Sequence, residues 1–245
     1  MIRMLPVVLL VAACGQSPVS VRGTVTDDIT SKSLPLVGAT VSIRNGMGGP
    51  VDEATTNGRG RFNLQVPAGQ RIYAIVEADD HVPTSFTGGS GFDPVLRVPD
   101  GTLFAVPETS LATRLDPFAG CPGLESGGVV IGEVRVNNLT DDETGENPLV
   151  QTAIVEWLPD GDSTAPIEAC YLDEEGVAYG PDATLTGPSA LYAIPAVPAG
   201  LGILSVRYSL VEGGPQTSVS YDAYMPEDGV IARFPTWVEF ETPIQ

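Results

Sequence analysis

The sequence predicts an all-β protein of two β-sandwich domains joined by a linker with a short helix, and three observations carry that prediction. Turn-formers abound, with 28 Gly and 22 Pro in 245 residues, while 42% of residues are apolar and 18% charged. Such a chain is too apolar to stay disordered and too heavily punctuated for a helical bundle. Apolar and polar residues alternate at the period of a strand with one buried face. Val19, Val21 and Val25 alternate with Ser20, Arg22 and Thr24, and Val206, Tyr208 and Leu210 with Ser205, Arg207 and Ser209. A set of landmarks also recurs in order, and the length suits two domains of about 100 residues.

The chain opens with Arg3, an apolar run of about ten residues and then small residues up to Cys14. That is the pattern of a secretory signal, too short to cross a bilayer as a helix. Val11-Ala12-Ala13-Cys14 resembles the lipobox of bacterial lipoproteins, which implies a signal peptide over 1–13 and lipidation of Cys14. Residues 14–18 then form a tether holding the protein to a membrane. Gly15, where inner-membrane retention requires Asp, implies the outer membrane, with the protein facing the periplasm or the cell exterior.

The first copy of the landmarks runs Val21-Arg-Gly23-Thr-Val25, Pro35-Leu-Val-Gly-Ala-Thr-Val41, Phe62-Asn-Leu64 and Val66-Pro-Ala-Gly69. The second runs Val130-Ile-Gly132-Glu-Val134, Pro148 to Val155, Tyr192-Ala-Ile194 and Val197-Pro-Ala-Gly200. The glycine of Val-x-Gly-x-Val marks a bulge or a close chain approach. Asn57-Gly-Arg-Gly60 reads as a hairpin turn between Val51–Thr56 and Arg61–Val66. Cys170–Gly176 stands where Thr56–Gly60 stands in the first copy. These motifs resemble the carboxypeptidase regulatory-like domain, closely over residues 19–90 and loosely over 128–245. The resemblance implies a transthyretin-like (prealbumin-like) Greek-key β-sandwich for each copy. The expected boundaries are 19–100 for the first domain, 101–127 for the linker and 128–245 for the second. Within the linker, Pro107 to Leu115 predicts a short helix with Leu111 and Leu115 on one face, packing between the domains without fusing their cores.

With Cys14 lipidated, Cys121 and Cys170 remain, and an oxidising envelope compartment favours their pairing as a disulfide. Two buried thiols are the other reading, and these two cysteines with one histidine cannot supply four zinc ligands. The net charge of −19 argues against nucleic-acid binding. Residues 128–245 hold nineteen of the acids against three bases, clustered at Asp141-Asp142-Glu143 with Glu146, at Asp160 with Asp162, and at Asp173-Glu174-Glu175. A solvated acidic surface is expected there. Calcium is the one candidate cofactor, and no EF-hand spacing supports it. His81, the single histidine, is expected to be a surface loop residue.

No Gly-x-Ser-x-Gly elbow, phosphate loop or His-Glu-x-x-His motif occurs, and the zinc-binding peptidase part that accompanies this domain in carboxypeptidases is missing. The chain is therefore read as a non-catalytic envelope lipoprotein acting as a structural or protein-interaction module. The alternative is a cell-surface carbohydrate-binding module that takes polysaccharide. Its candidate aromatics are Trp157, Tyr171, Tyr179 and Trp237, with Tyr192, Tyr221 and Tyr224 behind them.

Overall fold

A computed structural model describes residues 17–28, 34–137, 147–161, 165–210 and 214–239; of 234, 235 and 237–239 it describes the backbone alone. Cys14, the acids at 141–146 and Asp162 lie outside the described residues, as does the Trp237 side chain.

Before the helix the chain forms β1 (Val19–Asp27), β2 (Thr40–Asn45), β3 (Pro50–Thr55), β4 (Arg61–Val66), β5 (Arg71–Glu77), β6 (His81–Val82), β7 (Thr84–Gly89), β8 (Val95–Arg97) and β9 (Leu103–Pro107). Helix α1 (Glu108–Leu115) runs into a single 3₁₀ turn at Asp116–Phe118. Then come β10 (Gly128–Asn137), β11 (Ile154–Pro159), β12 (Ile167–Glu168), β13 (Cys170–Tyr171), β14 (Leu191–Val197), β15 (Gly200–Tyr208), β16 (Thr217–Met225) and β17 (Val230–Glu239).

In the first half β1 is flanked by antiparallel β4 and by parallel β8 and β9, and this layer faces the antiparallel set β3-β2-β5-β7. In the second half β10 is flanked by antiparallel β14 and parallel β17, facing β12-β11-β15-β16. The two halves therefore repeat one topology. Each encloses its own apolar core, with Val21, Ile43 and Leu64 in one and Val130, Trp157 and Leu204 in the other.

Strand registers fix which residues correspond. Gly23 stands opposite Phe62, and Gly132 opposite Tyr192. A Cβ on Gly23 would lie 3.0 Å from both the Phe62 ring and Val98, and one on Gly132 would lie 2.6 Å from the Arg233 carbonyl oxygen. The expected close approach is present in both copies, and the aromatic occupies the space that the glycine leaves. The second copy adds a bulge: the ladder skips between Gly128 and Val130, opposite Pro195-Ala196. Pro195 has no N–H to give, and Ala196 takes the left-handed conformation at φ 52°.

Three expectations need correction. Asn57–Gly60 does form a tight turn, with Gly60 N–H donating to the Asn57 carbonyl at 2.8 Å, but it is a corner rather than a hairpin. It sends β3 and β4 to opposite sheets, because the Asn-Gly chemistry fixes the chain reversal and not the receiving layer. Leu103–Pro107 is not linker; it completes the first sandwich beside β1. Lastly, the counterpart of Thr56 is Thr186. The Thr56 hydroxyl donates to the Leu36 carbonyl at 2.7 Å and accepts from Ala39 N–H at 3.0 Å. The Thr186 hydroxyl donates to the Val150 carbonyl at 2.6 Å and accepts from Ala153 N–H at 3.0 Å. Cys170–Leu185 is thus an insertion ahead of the shared bracket, which motif spacing alone misplaces.

Candidate functional site: the junction between the two sandwiches

The chemistry-bearing side chains gather where the halves meet. Strand β17 joins β7 through a single parallel pair, Val230 opposite Thr84, so that one eight-stranded sheet runs through both halves. Val230 N–H donates to the Pro83 carbonyl at 2.7 Å. Gly229 makes this approach possible, since a Cβ there would lie 2.7 Å from the Pro83 oxygen.

A third apolar core lies over this join. Phe104 and Val106 from β9, Phe118 after the helix, and Val129, Ile131 and Val230 from the second half pack together, with Leu111 and Leu115 partly buried against them. The predicted helix face is present, yet its neighbours come from both halves. Strand β10 is consequently covered on both sides, which explains the unbroken run Val129-Val130-Ile131. That run is the sequence signal from which the third core could have been read.

Cys121 and Cys170 form a disulfide with Cα atoms 6.1 Å apart, tying the segment after the helix to strand β13. Cys121 is buried within the third core beside Phe118 and Leu172. Apolar packing and a covalent staple therefore act on the same joint.

Polar contacts complete it on the far side of the sheet. Arg71 pairs with Asp222, and the Thr87 hydroxyl donates to the Asp222 carbonyl at 2.8 Å. The Arg44 guanidinium lies 4.7 Å from the ring centre of Tyr224, which in turn touches Tyr73. A cleft of about 310 Å³ opens here, lined by Arg71, Tyr73, Asp160, Leu201, Ile203 and Asp222 among others. Arg71 and Asp222 in its wall are already paired across the halves, which makes it part of the joint.

His81 is not the surface residue expected from its loop. Its side chain is 11% exposed, with Nε2 2.8 Å from Asp27 Oδ1 and Nδ1 2.6 Å from the Asp79 carbonyl oxygen. Burial pulls its pKa down, but the bonds to Asp27 and Asp79 prevail and the net shift is upward. With both nitrogens protonated, the ring donates to both acceptors and latches β6 to the end of β1.

The acidic clusters divide. Asp173 accepts N–H bonds from Val177 at 3.0 Å and Ala178 at 3.4 Å, which hold its carboxyl below the usual carboxylate range. These bonds fold the turn and leave the carboxylate committed. Among the described residues no three His, Cys, Asp or Glu side chains stand together as metal ligands.

Among the described residues, the sugar-binding candidates do not form a surface. Trp157 and Tyr171 are 0% and 3% exposed, deep in the second core, where aromatics in a strand alternation belong. Tyr171 O–H donates to the Val155 carbonyl and its oxygen accepts from Val155 N–H, and burial pushes its pKa up. Tyr192 is buried too, its hydroxyl 2.7 Å from that of Thr236. Tyr179 is partly buried against the third core. Tyr221 packs against the second core, and Tyr224 is committed to Arg44 and Tyr73.

Comparison with known proteins agrees for the first half. Residues 20–93 match the family model of the carboxypeptidase regulatory-like domain. No curated protein matches the chain. Among solved structures the chain is similar to the Bacillus anthracis TIE protein, at 11% identity and TM-score 0.31, covering 91% of this chain and 34% of that one. It is also similar to the shaft pilin SpaA of Lactobacillus rhamnosus GG, at 11% identity and TM-score 0.27, over 94% of this chain and 100% of that one. The minor pilin GBS52 of Streptococcus agalactiae gives 13% identity and TM-score 0.27 over 93% and 98%. The chain thus spans about a third of the length of the TIE protein.

Proposed function

We propose that this protein is a non-catalytic, lipid-anchored module of the bacterial outer membrane that acts through protein interaction, with two sandwiches held as one unit. The second sandwich, on this reading, is a divergent regulatory-like domain descended from the same unit as the first. The observation that carries it is the use to which the reactive side chains are put: His81, Asp173, Arg71 and Cys121–Cys170 are each engaged in a bond that shapes the fold. A catalytic site needs such groups aimed at a space a substrate can enter. The lipobox-like Val11–Cys14 and the short tether support the anchor and the envelope location. Labelled palmitate should enter the wild-type protein and not Cys14→Ala, and the variant should leave the membrane fraction for the soluble one. An unlabelled wild type overturns the anchor. Turnover of a peptide or glycoside by the pure protein, lost on a point substitution, overturns the non-catalytic reading.

A further inference from the structure

The repeat makes each half a control for the other, and one place in the frame is filled in the second half and empty in the first. Between the sheets of the first sandwich lies a cavity of about 100 Å³, walled by Phe62, Ile72, Ala74, Phe86, Leu96 and Val98 among others. Its walls are almost wholly apolar. A Cβ built on Gly88 meets nothing within 4 Å, and Gly88 stands opposite inward-facing Ile72, so the missing side chain leaves open space on the cavity side.

Registers give the counterparts in the second half. Ala74 opposite Phe86 becomes Leu204 opposite Tyr221, and Ile72 opposite Gly88 becomes Gly202 opposite Ala223. Ile43 becomes Trp157, whose indole fills the place under Gly202. Val98, beside Gly23, becomes Arg233, opposite Gly132, with its guanidinium 5.4 Å from the Tyr221 ring centre. The same gap is thus plugged by Leu204, Trp157, Tyr221 and Ala223. The frame accepts larger side chains there, so nothing in the topology obliges the first half to leave the space.

We propose that this cavity is a binding site for a small neutral apolar molecule, no larger than benzene. A water needs two to four polar partners to settle, and these walls offer almost none, so an apolar occupant is favoured. A cavity of roughly 150 Å³ lined by Leu, Ile and Phe holds benzene or xenon, which sets the scale. A charged or hydroxylated ligand would lose its hydration without compensation.

The test uses the full chain with labelled Ile, Leu, Val and Ala methyl groups, titrated with xenon and with benzene. We expect saturable shifts at Ile72, Ala74, Leu96 and Val98, with Val130 and Leu204 of the plugged counterpart unmoved. Ala74→Leu copies the second half and should weaken binding at least tenfold while keeping the fold. Gly88→Val plugs from the neighbouring strand of the same sheet, so the result stands even where Ala74→Leu fails to fold. If neither probe shifts the first-half methyls, or if the shifts persist in Gly88→Val, the proposal is overturned.

Discussion

The two sandwiches share a frame and fill it differently. In the first, Ile43 and Ile72 divide the space between β2 and β5; in the second, Trp157 takes it and Gly202 yields it. What stays constant is the backbone: a glycine opposite an aromatic in both central strands, and a buried threonine bracketing the same pair of chain segments. Register in this fold is held by groups that satisfy or crowd the backbone. Volume can then be moved between facing positions, provided the sum still fills the layer.

The largest effect should come from moving that volume on one side only. A Cβ on Gly202 would fall inside the Trp157 indole, 2.8 Å from Nε1 and nearer still to ring carbons. Gly202→Ile should therefore unfold the second half, with a cost of about 3 kcal/mol or more. Trp157→Ile alone should cost on the order of 3–5 kcal/mol, as removal of a large buried aromatic does. The double variant restores the pairing used by the first half and should recover most of the loss. Thermal unfolding followed by near-ultraviolet dichroism reads all three, and a double variant no better than the worse single would break the equivalence.

Next in size is the disulfide, which ties the segment after the helix to the second half. With 48 residues between Cys121 and Cys170, closing the loop is worth about 4 kcal/mol in the chain-entropy model. Reduction should lower the melting temperature and raise hydrogen exchange in the segment after α1 and at β13 first, because those are the segments it ties. Uniform exchange, or faster exchange confined to β2 and β5, would contradict the placement. A smaller and symmetric effect is expected from Thr56→Val and Thr186→Val. Each leaves a buried N–H and carbonyl unpaired at about 1–3 kcal/mol, and the two losses should agree within experimental scatter. A large difference between them would end the claim that the brackets are equivalent.

Much of this was readable from residue order. Alternation gave the strands, the repeated Val-Pro-Ala-Gly landmark falls between β4 and β5 and again between β14 and β15, and Gly23 and Gly132 announced their close approaches. Leu111 and Leu115 gave the helix face, and Cys121 and Cys170 are paired. The continuity of the sheet across the joint was not readable, because it rests on one strand pair at Val230 and on Pro83, whose carbonyl has no preferred partner in sequence. The aromatic candidates went astray for a related reason. Trp157 lies at the inward phase of Val155-Glu156-Trp157, and that phase assigns it to the core whatever its chemistry. The bracket at Thr186 stayed hidden because the insertion from Cys170 to Leu185 supplies a more conspicuous turn ahead of it.

The smallest expected effect separates the halves by pH. A histidine whose folded-state pKa lies above its unfolded value of about 6.5 binds its proton more tightly when folded. The latch from His81 to Asp27 therefore contributes fully below that value and is lost as pH rises through the folded one. Because Asp27 is 45% exposed, solvent screens the pair and the contribution should stay under about 1 kcal/mol. Asp173 carries the opposite sign. Its depressed pKa gives a contribution present above the unfolded carboxylate value and lost as pH falls through the folded one. The first half should thus soften as pH rises above about 6.5, and the turn at 173–178 should loosen only in acid. Hydrogen exchange at β6 and at Val177 and Ala178, measured across pH after correction for intrinsic rates, distinguishes the two. In His81→Gln the softening of β6 should vanish while the acid response at Val177 persists. A variant that keeps the wild-type slope at β6 would show that the latch is not what titrates.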